Sequence, residues 1–303
     1  MTKKIIILHD NNEWLKPIEE SFKKYGLDYE EFDLQHGLID LDKVPEDAIF
    51  FNRVSPSSHL RDRPYAIEHA LNFLKLAELH GRKIINGVNS VYLELNKFAQ
   101  YLSLQKSGAK IPKTIAAIDK HDILEAARQI EYPLIIKPNR GGSGDGVEIF
   151  YEEAALKIHL QTNFKISQDG ITLVQKYIKP KNDVITRVEF INKELLYAVK
   201  ITVSGDFHLC PADACQIDTK HCAIDSENQD KFVIDKNFDH PILEKYKDFF
   251  TREKYDIGAI EFVEDENDEI YSYDVNSNTN YNCKAQAKAG ISGHDILVER
   301  LFK

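Results

Sequence analysis

Nothing in the 303 residues stays apolar for anything near the roughly 20 positions needed to span a bilayer. The opening "MTKKIIILHD" offers only a short apolar run, so neither a membrane segment nor a secretory leader is expected, and the chain reads as cytoplasmic. Positive charge is also in deficit. Thirty-nine Lys and Arg stand against 49 Asp and Glu, a net charge of −10, which argues against a broad nucleic-acid or anionic-membrane surface and leaves only local basic clusters to hold phosphate. Cysteine is sparse: Cys210, Cys215, Cys222 and Cys283 are too few, without a leader, for a disulfide framework and are expected as reduced thiols. No repeat of solenoid period and no low-complexity tract occurs. What is present, 43% hydrophobic and 29% charged residues, suits an ordinary folded protein of one large domain or two or three small ones.

Strand and helix patterns alternate from the start. "KIIIL", "YEEFDL", "AIFFN" and "KIING" read as strands, with amphipathic stretches in "WLKPIEESFKKYG" and "PYAIEHALNFLKLAELHG" between them. The alternation predicts a parallel α/β sheet over residues 1–92, with Gly26 and Gly81 closing its helices. One helix is expected through "SVYLELNKFAQYLSLQKSG", then short strands with helices in "HDILEAARQI" and "YEEAALKIHLQ", forming a second part, 93–202. The third part, 203–303, carries the strands "GAIEFV" and "IYSYDVN" around the turn "EDENDE" and a final helix.

The segment "LIIKPNRGGSGDGVEIF" packs four glycines into positions 141–146 between two apolar runs. A phosphate-binding loop of the Gly-Lys-Ser/Thr kind is excluded, because this loop ends Asp145-Gly146-Val147. A dinucleotide fingerprint needs a helix after the glycines, and "VEIF" reads as a strand. The loop is therefore the tip of a hairpin, either a plain flexible turn or a place where backbone N–H groups approach an anion closely. Lys137, at the end of the incoming strand, favours the second, since its ammonium can reach a phosphate beneath the tip. Further on, "LVQKYIKPKNDVITRVEF" places an apolar, aromatic stretch before Asp183, a pattern able to read an adenine edge and accept from ribose hydroxyls.

Glu261 lies inside one strand, Asp274 and Asn276 inside the next, and the latter two share a face because side chains alternate along a strand. If the strands pair, Glu261 joins them in a hard-oxygen set suited to Mg²⁺, with Mn²⁺ as an alternative. A solvated strand face is the competing reading; the charge run 264–269 is taken as a solvated turn.

Together "ELNKFAQYLSLQKSGAKIPKT", "LIIKPNRGGSGDGV", "LVQKYIKPKNDVITRVEF" and "GAIEFV…YDVNSN" resemble, in order and over about residues 90 to 295, the ATP-grasp superfamily, specifically RimK-like and glutathione-synthetase-like carboxylate–amine ligases. The resemblance implies an α/β pre-grasp domain followed by a two-part α+β fold with ATP between the parts. By position, Lys97 and Lys137 resemble the phosphate-binding lysines. Gly141, Gly142, Ser143, Gly144 and Gly146 resemble the small lid, and Gln175, Lys176, Tyr177 and Ile178 the adenine-side hinge. Asp183 resembles the ribose acid, Glu261, Asp274 and Asn276 the Mg²⁺ ligands, and Arg187 the cation that contacts the reacting phosphoryl group; Lys200 is a second candidate catalytic cation. The pattern departs at Lys176, where an acid is common, at the order Glu261 then Asp274, and after Asn276, where "SNTNYN" replaces a Pro-Gly turn.

"VKITVSGDFHLCPADAC" departs further, with Lys200, His208 and Cys210 where arginines are expected. Here His208 and Asp213 are candidate substrate contacts, as is Asn278 beyond the acidic hairpin; a Cys210, Cys215, Cys222 metal site matches no common zinc spacing. "FFNRVSPSS" follows a strand of the first domain, where α/β sheets bind ligands, so Asn52, Arg53 and Ser55 are candidates for holding a substrate carboxylate. The expected activity is ligation of a carboxylate to an amine or thiol through an acyl phosphate, on an amino acid, peptide or peptide/protein terminus. A kinase of the same fold and a non-catalytic ATP-binding regulator are the alternatives; monomer and homo-oligomer both stay open.

Overall fold

The computed structural model describes residues 3–142, 144–203 and 231–303. In the first sheet β1 (Lys4–His9), β2 (Tyr29–Asp33), β3 (Ala48–Arg53) and β4 (Lys83–Ile85) are ordered β2-β1-β3-β4 and all parallel, as the alternation predicts. Both faces are covered, which is why β1 is apolar without interruption. Ile5 and Ile7 face α1 (Lys16–Tyr25), while Ile6 and Leu8 face α2 (Ala66–Leu79). Gly26 ends α1 at φ 64°, the left-handed cap expected of it.

A second sheet, β5 (Thr114–Ala117), β6 (Leu134–Pro138), β7 (Glu148–Phe150) and β8 (Thr172–Lys176), is antiparallel in the order β5-β8-β6-β7 and is backed by α5 (Lys120–Ile130) and α6 (Glu153–Thr162). The glycine-rich segment is its β6–β7 hairpin tip. The third sheet has the order β11-β10-β9-β12-β13, built from β9 (Val184–Ile191), β10 (Glu194–Thr202), β11 (Phe232–Asp235), β12 (Ile257–Glu264) and β13 (Ile270–Asn276). Residues 184–202, grouped by sequence with the glycine loop, thus join the sheet of the acidic hairpin: β9 pairs with β12 along seven residues.

Two further differences are local and physical. The single helix expected over 90–108 is two, α3 (Val88–Leu95) and α4 (Lys97–Lys106), broken at Asn96. Asn96 leaves the helical region at φ −128°, ψ 89°, and its side chain accepts from the Ala99 N–H, capping α4. The break makes Lys97 the first residue of a helix that begins at the site. α4 then covers the outer edge of β13, where the buried Gln100 amide replaces a strand partner by donating to the Val275 carbonyl and accepting from its N–H, both at 2.9 Å.

The chain then passes through α7 (Ile242–Arg252) and α8 (Cys283–Ala289) to α9 (Gly293–Leu301), which returns to the first sheet rather than staying with the third part. Asp295 accepts from Ser21 Oγ at 2.7 Å and from Lys24 Nζ at 2.6 Å, and Leu297 and Val298 share a core with Ile5 and Phe22. Among the described residues no helix is long and apolar enough to cross a membrane.

His294 makes this return acid-sensitive. It is buried against the Tyr281 ring (centroids 4.9 Å) with no hydrogen-bond partner for Nε2 among the described residues, and burial followed by the Arg53 charge pushes its pKa down from 6.5 to about 3. Between those values the unfolded chain binds a proton that the folded chain refuses, so this residue's contribution is present above pH 6.5 and is lost as pH falls towards 3. Wild type should lose about 2 kcal/mol more unfolding free energy between pH 7 and 5 than His294→Phe does, read from urea titrations. Equal losses would remove His294 as the group responsible.

Candidate functional site

The strand register builds the site's floor. Arg187 on β9 lies opposite Glu261 on β12, which lies opposite Asp274 on β13, so three charged side chains form one row across adjacent strands. The next row on that face is Glu189, Ala259 and Asn276, with alanine leaving room between the polar pair. A bulge follows Glu261, where Phe262 pairs with Ser272, a distortion common beside functional sites. The predicted meeting of Glu261, Asp274 and Asn276 is therefore present: Asn276 Nδ2 lies 3.5 Å from Glu261 Oε1 and 3.4 Å from Asp274 Oδ2.

Cations surround these carboxylates. Arg187 donates from Nε to Glu189 Oε1 at 2.6 Å and from Nη1 to Glu261 Oε1 at 2.8 Å, all three side chains being buried. Lys97 pairs with Asp274 from the start of α4. Lys137 reaches in from β6 of the second sheet, its Nζ 3.4 Å from the Tyr273 carbonyl and 5.1 Å from the Tyr101 ring centre. Burial first, then the neighbouring Lys97 ammonium, lower the Lys137 pKa to about 7. Burial raises the Glu261 and Glu189 carboxyls above the usual range and carries Glu94, held by the Ser277 hydroxyl, to about 7.

The cleft over this floor is lined by Lys97, Lys137, Arg187, Glu261, Asp274 and Asn276, by the glycine loop (Gly141, Gly142, Gly144), and by the hinge Gln175, Lys176, Tyr177 and Ile178. Beside the hinge the lining is apolar, with Ile135, Val147 and Val263, while Ser55, Ser57, Asn278 and Asn280 supply polar lining from the first domain and the segment after β13. The loop closes one side. A Cβ on Gly142 would stand 3.1 Å from the Ser57 Cβ, so glycine permits the approach to the first domain. Gly146 holds φ +72° at the turn back into β7.

Not every expected residue arrives here. Lys200 is half-exposed and pairs with Asp235 at 3.4 Å. Its neighbour Val199 is the residue opposite Arg187, so strand alternation turns Lys200 to the other face. Asp183 sits on an exposed turn at φ +53° and does not line the cleft. Asn52 is consumed by structure, donating to the Asn86 carbonyl and accepting from Val54 N–H. Arg53 does not line the cleft: its buried guanidinium turns to the Thr279 carbonyl (3.1 Å) and Asn280 Oδ1 (2.8 Å). Ser55 and Asn278 do line it. Ser143, His208, Asp213, Cys210, Cys215 and Cys222 lie outside the described residues.

Residues that sequence reading missed include Asn139, Glu94, Glu189 and Asn280. Buried Asn139 accepts from Phe98 N–H at 2.8 Å while its carbonyl accepts from Lys97 N–H, tying α4 to the strand that carries Lys137. Its place directly after "KP" in the glycine segment is the only local signal. Glu189, two residues from Arg187, was legible as sharing its face.

Comparison with known proteins agrees with this arrangement. Residues 96–189 match the family described as carbamoyl-phosphate synthase L chain, ATP binding domain. Alpha-aminoadipate–LysW ligase LysX of Sulfurisphaera tokodaii is 32% identical over 105 residues, 34% of this chain and 37% of that protein. Glutamate–LysW ligase ArgX of Sulfolobus acidocaldarius is 29% identical over 170 residues, 55% and 59% of the two chains. The matched stretch thus spans little more than a third of the first relative and under two thirds of the second. In three dimensions the RimK domain ATP-grasp protein of Sphaerobacter thermophilus superposes with a TM-score of 0.68 at 13% identity, covering 99% of this chain and 100% of that one. The segment that carries Lys97, Lys137 and Arg187 thus matches that ATP-binding domain family, and the whole chain has the fold of an ATP-grasp structure from end to end.

Proposed function

We propose that the protein is an ATP-dependent ligase that joins a carboxylate to an amine and releases ADP and phosphate. The observation that carries this reading is the convergence, under one glycine loop, of three cations (Lys97, Lys137, Arg187) and three oxygen-bearing side chains (Glu261, Asp274, Asn276) from α4 and from the second and third sheets. Phosphoryl transfer asks mainly for positioning and charge neutralisation, which such a cleft supplies without a covalent nucleophile.

In this reading the apolar hinge end takes the adenine, and Lys97, Lys137 and the loop's N–H groups take the phosphates. Lys137, with its pKa near 7, gains full charge when an anion approaches. Arg187, aimed by Glu189 and Glu261, faces the phosphoryl group as it moves to the acceptor carboxylate. The amine then attacks the acyl phosphate, forming the amide bond and expelling phosphate. Glu261, Asp274 and Asn276 fit Mg²⁺: each carries a hard oxygen, the Asn276 amide lies within 3.5 Å of both carboxylates, and the Lys97 ammonium already pairs with Asp274 as a cation would. Mg²⁺ held there supplies charge neutralisation on the phosphates.

The LysW ligases among the relatives act on carboxylate-bearing partners by their names, which supports this class. The test is product stoichiometry with ATP, Mg²⁺ and pooled carboxylates and amines. ADP and phosphate in equal amounts, only when both pools are supplied, are expected. ADP without free phosphate would make the protein a kinase, and no ADP under any pairing would overturn catalysis.

A further inference from the structure

The sequence "DVNSNTNYN" breaks the pattern expected after the acidic hairpin, and the structure gives its asparagines a use. Asn278 and Asn280 line the cleft, and both are more than nine-tenths buried. One residue, Arg53, fixes the orientation of both amides. Its guanidinium, which can only donate, reaches Asn280 Oδ1 at 2.8 Å; its backbone carbonyl, which can only accept, receives Asn278 Nδ2 at 2.7 Å. Neither amide can be turned without losing its partner.

Each asparagine is left with one polar atom that has no partner among the described residues: Asn280 Nδ2, a donor, and Asn278 Oδ1, an acceptor. An amide group buried in this way is costly unless something satisfies it. Since both line the same cleft, we propose that they form a specificity site for an amide group of the substrate, Asn280 donating to its carbonyl and Asn278 accepting from its N–H. The proposal rests on the ligase reading for what happens to that substrate afterwards. A carboxylate offers only acceptors and would meet Asn278 Oδ1 lone pair to lone pair. An ammonium offers only donors and would meet the Asn280 N–H groups. An amide satisfies both. The acid to be activated is therefore a peptide or a carboxamide-bearing acid rather than a simple free amino acid.

Binding tests this without turnover. The full chain, held with a non-hydrolysable ATP analogue and Mg²⁺, is titrated with a panel of dipeptides, with glutamine and asparagine, and with free amino acids lacking a carboxamide. Each dipeptide that binds is compared with its depsipeptide, in which oxygen replaces the amide nitrogen. Loss of the N–H is expected to weaken binding about tenfold or more, because Asn278 Oδ1 is then buried against an ester oxygen. Glutamine and asparagine binding in place of dipeptides would assign the site to a side-chain carboxamide. Asn280→Asp, which turns the donor into an acceptor beside Arg53, should weaken the dipeptide at least tenfold and leave affinity for the ATP analogue unchanged. Equal binding of peptide and depsipeptide, tighter binding of the simple amino acids, or no binding of any amide overturns the proposal. Selective amide binding with no ADP release would sink the ligase reading and leave the site standing; ADP release driven by simple amino acids alone would do the reverse.

Discussion

Asp274→Asn is expected to lower magnesium-dependent ADP release about a thousandfold, the scale seen when one preorganised electrostatic group is removed from a reacting site. The substitution keeps the side chain's shape, and Asp274 is partly exposed, so the fold should survive. What changes is charge: the row Arg187, Glu261, Asp274 loses its outer carboxylate, and Lys97 loses its ion-pair partner. Nucleotide affinity separates a metal role from a structural one. In chelator, where Asp274 repels the triphosphate, the asparagine variant should bind ATP as well as wild type or better. With Mg²⁺ added, wild type should gain affinity and the variant should not. A variant that keeps the full magnesium response would remove Asp274 from the metal set, whatever its activity.

How far the sequence anticipates this site depends on distance along the chain. Lys137, the glycine tip and the hinge lie within one hairpin and the strand beside it, so strand-loop-strand context was sufficient to group them. Glu261 and Asp274 were legible because a five-residue turn joins their strands and alternation sets their faces. Pairing between distant segments was not. That β9 would lie against β12 puts Arg187 beside Glu261, 74 residues on, and no local periodicity encodes it. The same holds for α9, which belongs by position to the last part and by packing to the first sheet. Lys200 failed for the opposite reason, since a one-residue offset on a strand sends a side chain to the wrong face. Arg53 looked like a carboxylate clamp because a buried guanidinium and an exposed one have the same letter. Its burial, which lowers its pKa to about 10, makes it a brace for Asn278 and Asn280 instead.

Arg187→Met should be the most destabilising single change in the site, costing about 3–5 kcal/mol at pH 8. Arg187 separates Glu189 and Glu261, each about 3% exposed, and methionine fills similar space without charge. Removing the cation leaves two carboxylates in a medium that solvates them poorly, and both already titrate above the ordinary range for that reason. The sign of the pH response follows. A carboxyl whose pKa is raised by folding contributes stability below its unfolded value, and that contribution is lost as pH rises through the folded value. Loss of Arg187 raises both further, so the deficit against wild type should be largest near pH 8 and shrink as pH falls towards 4.5. Neutralising the acids as well, in Arg187→Met with Glu189→Gln and Glu261→Gln, should recover most of the stability while leaving ADP release abolished. Urea unfolding at pH 8 and pH 5 reads both effects. A deficit below about 1 kcal/mol, or one that does not change with pH, would mean that the two carboxylates are stabilised by groups other than Arg187.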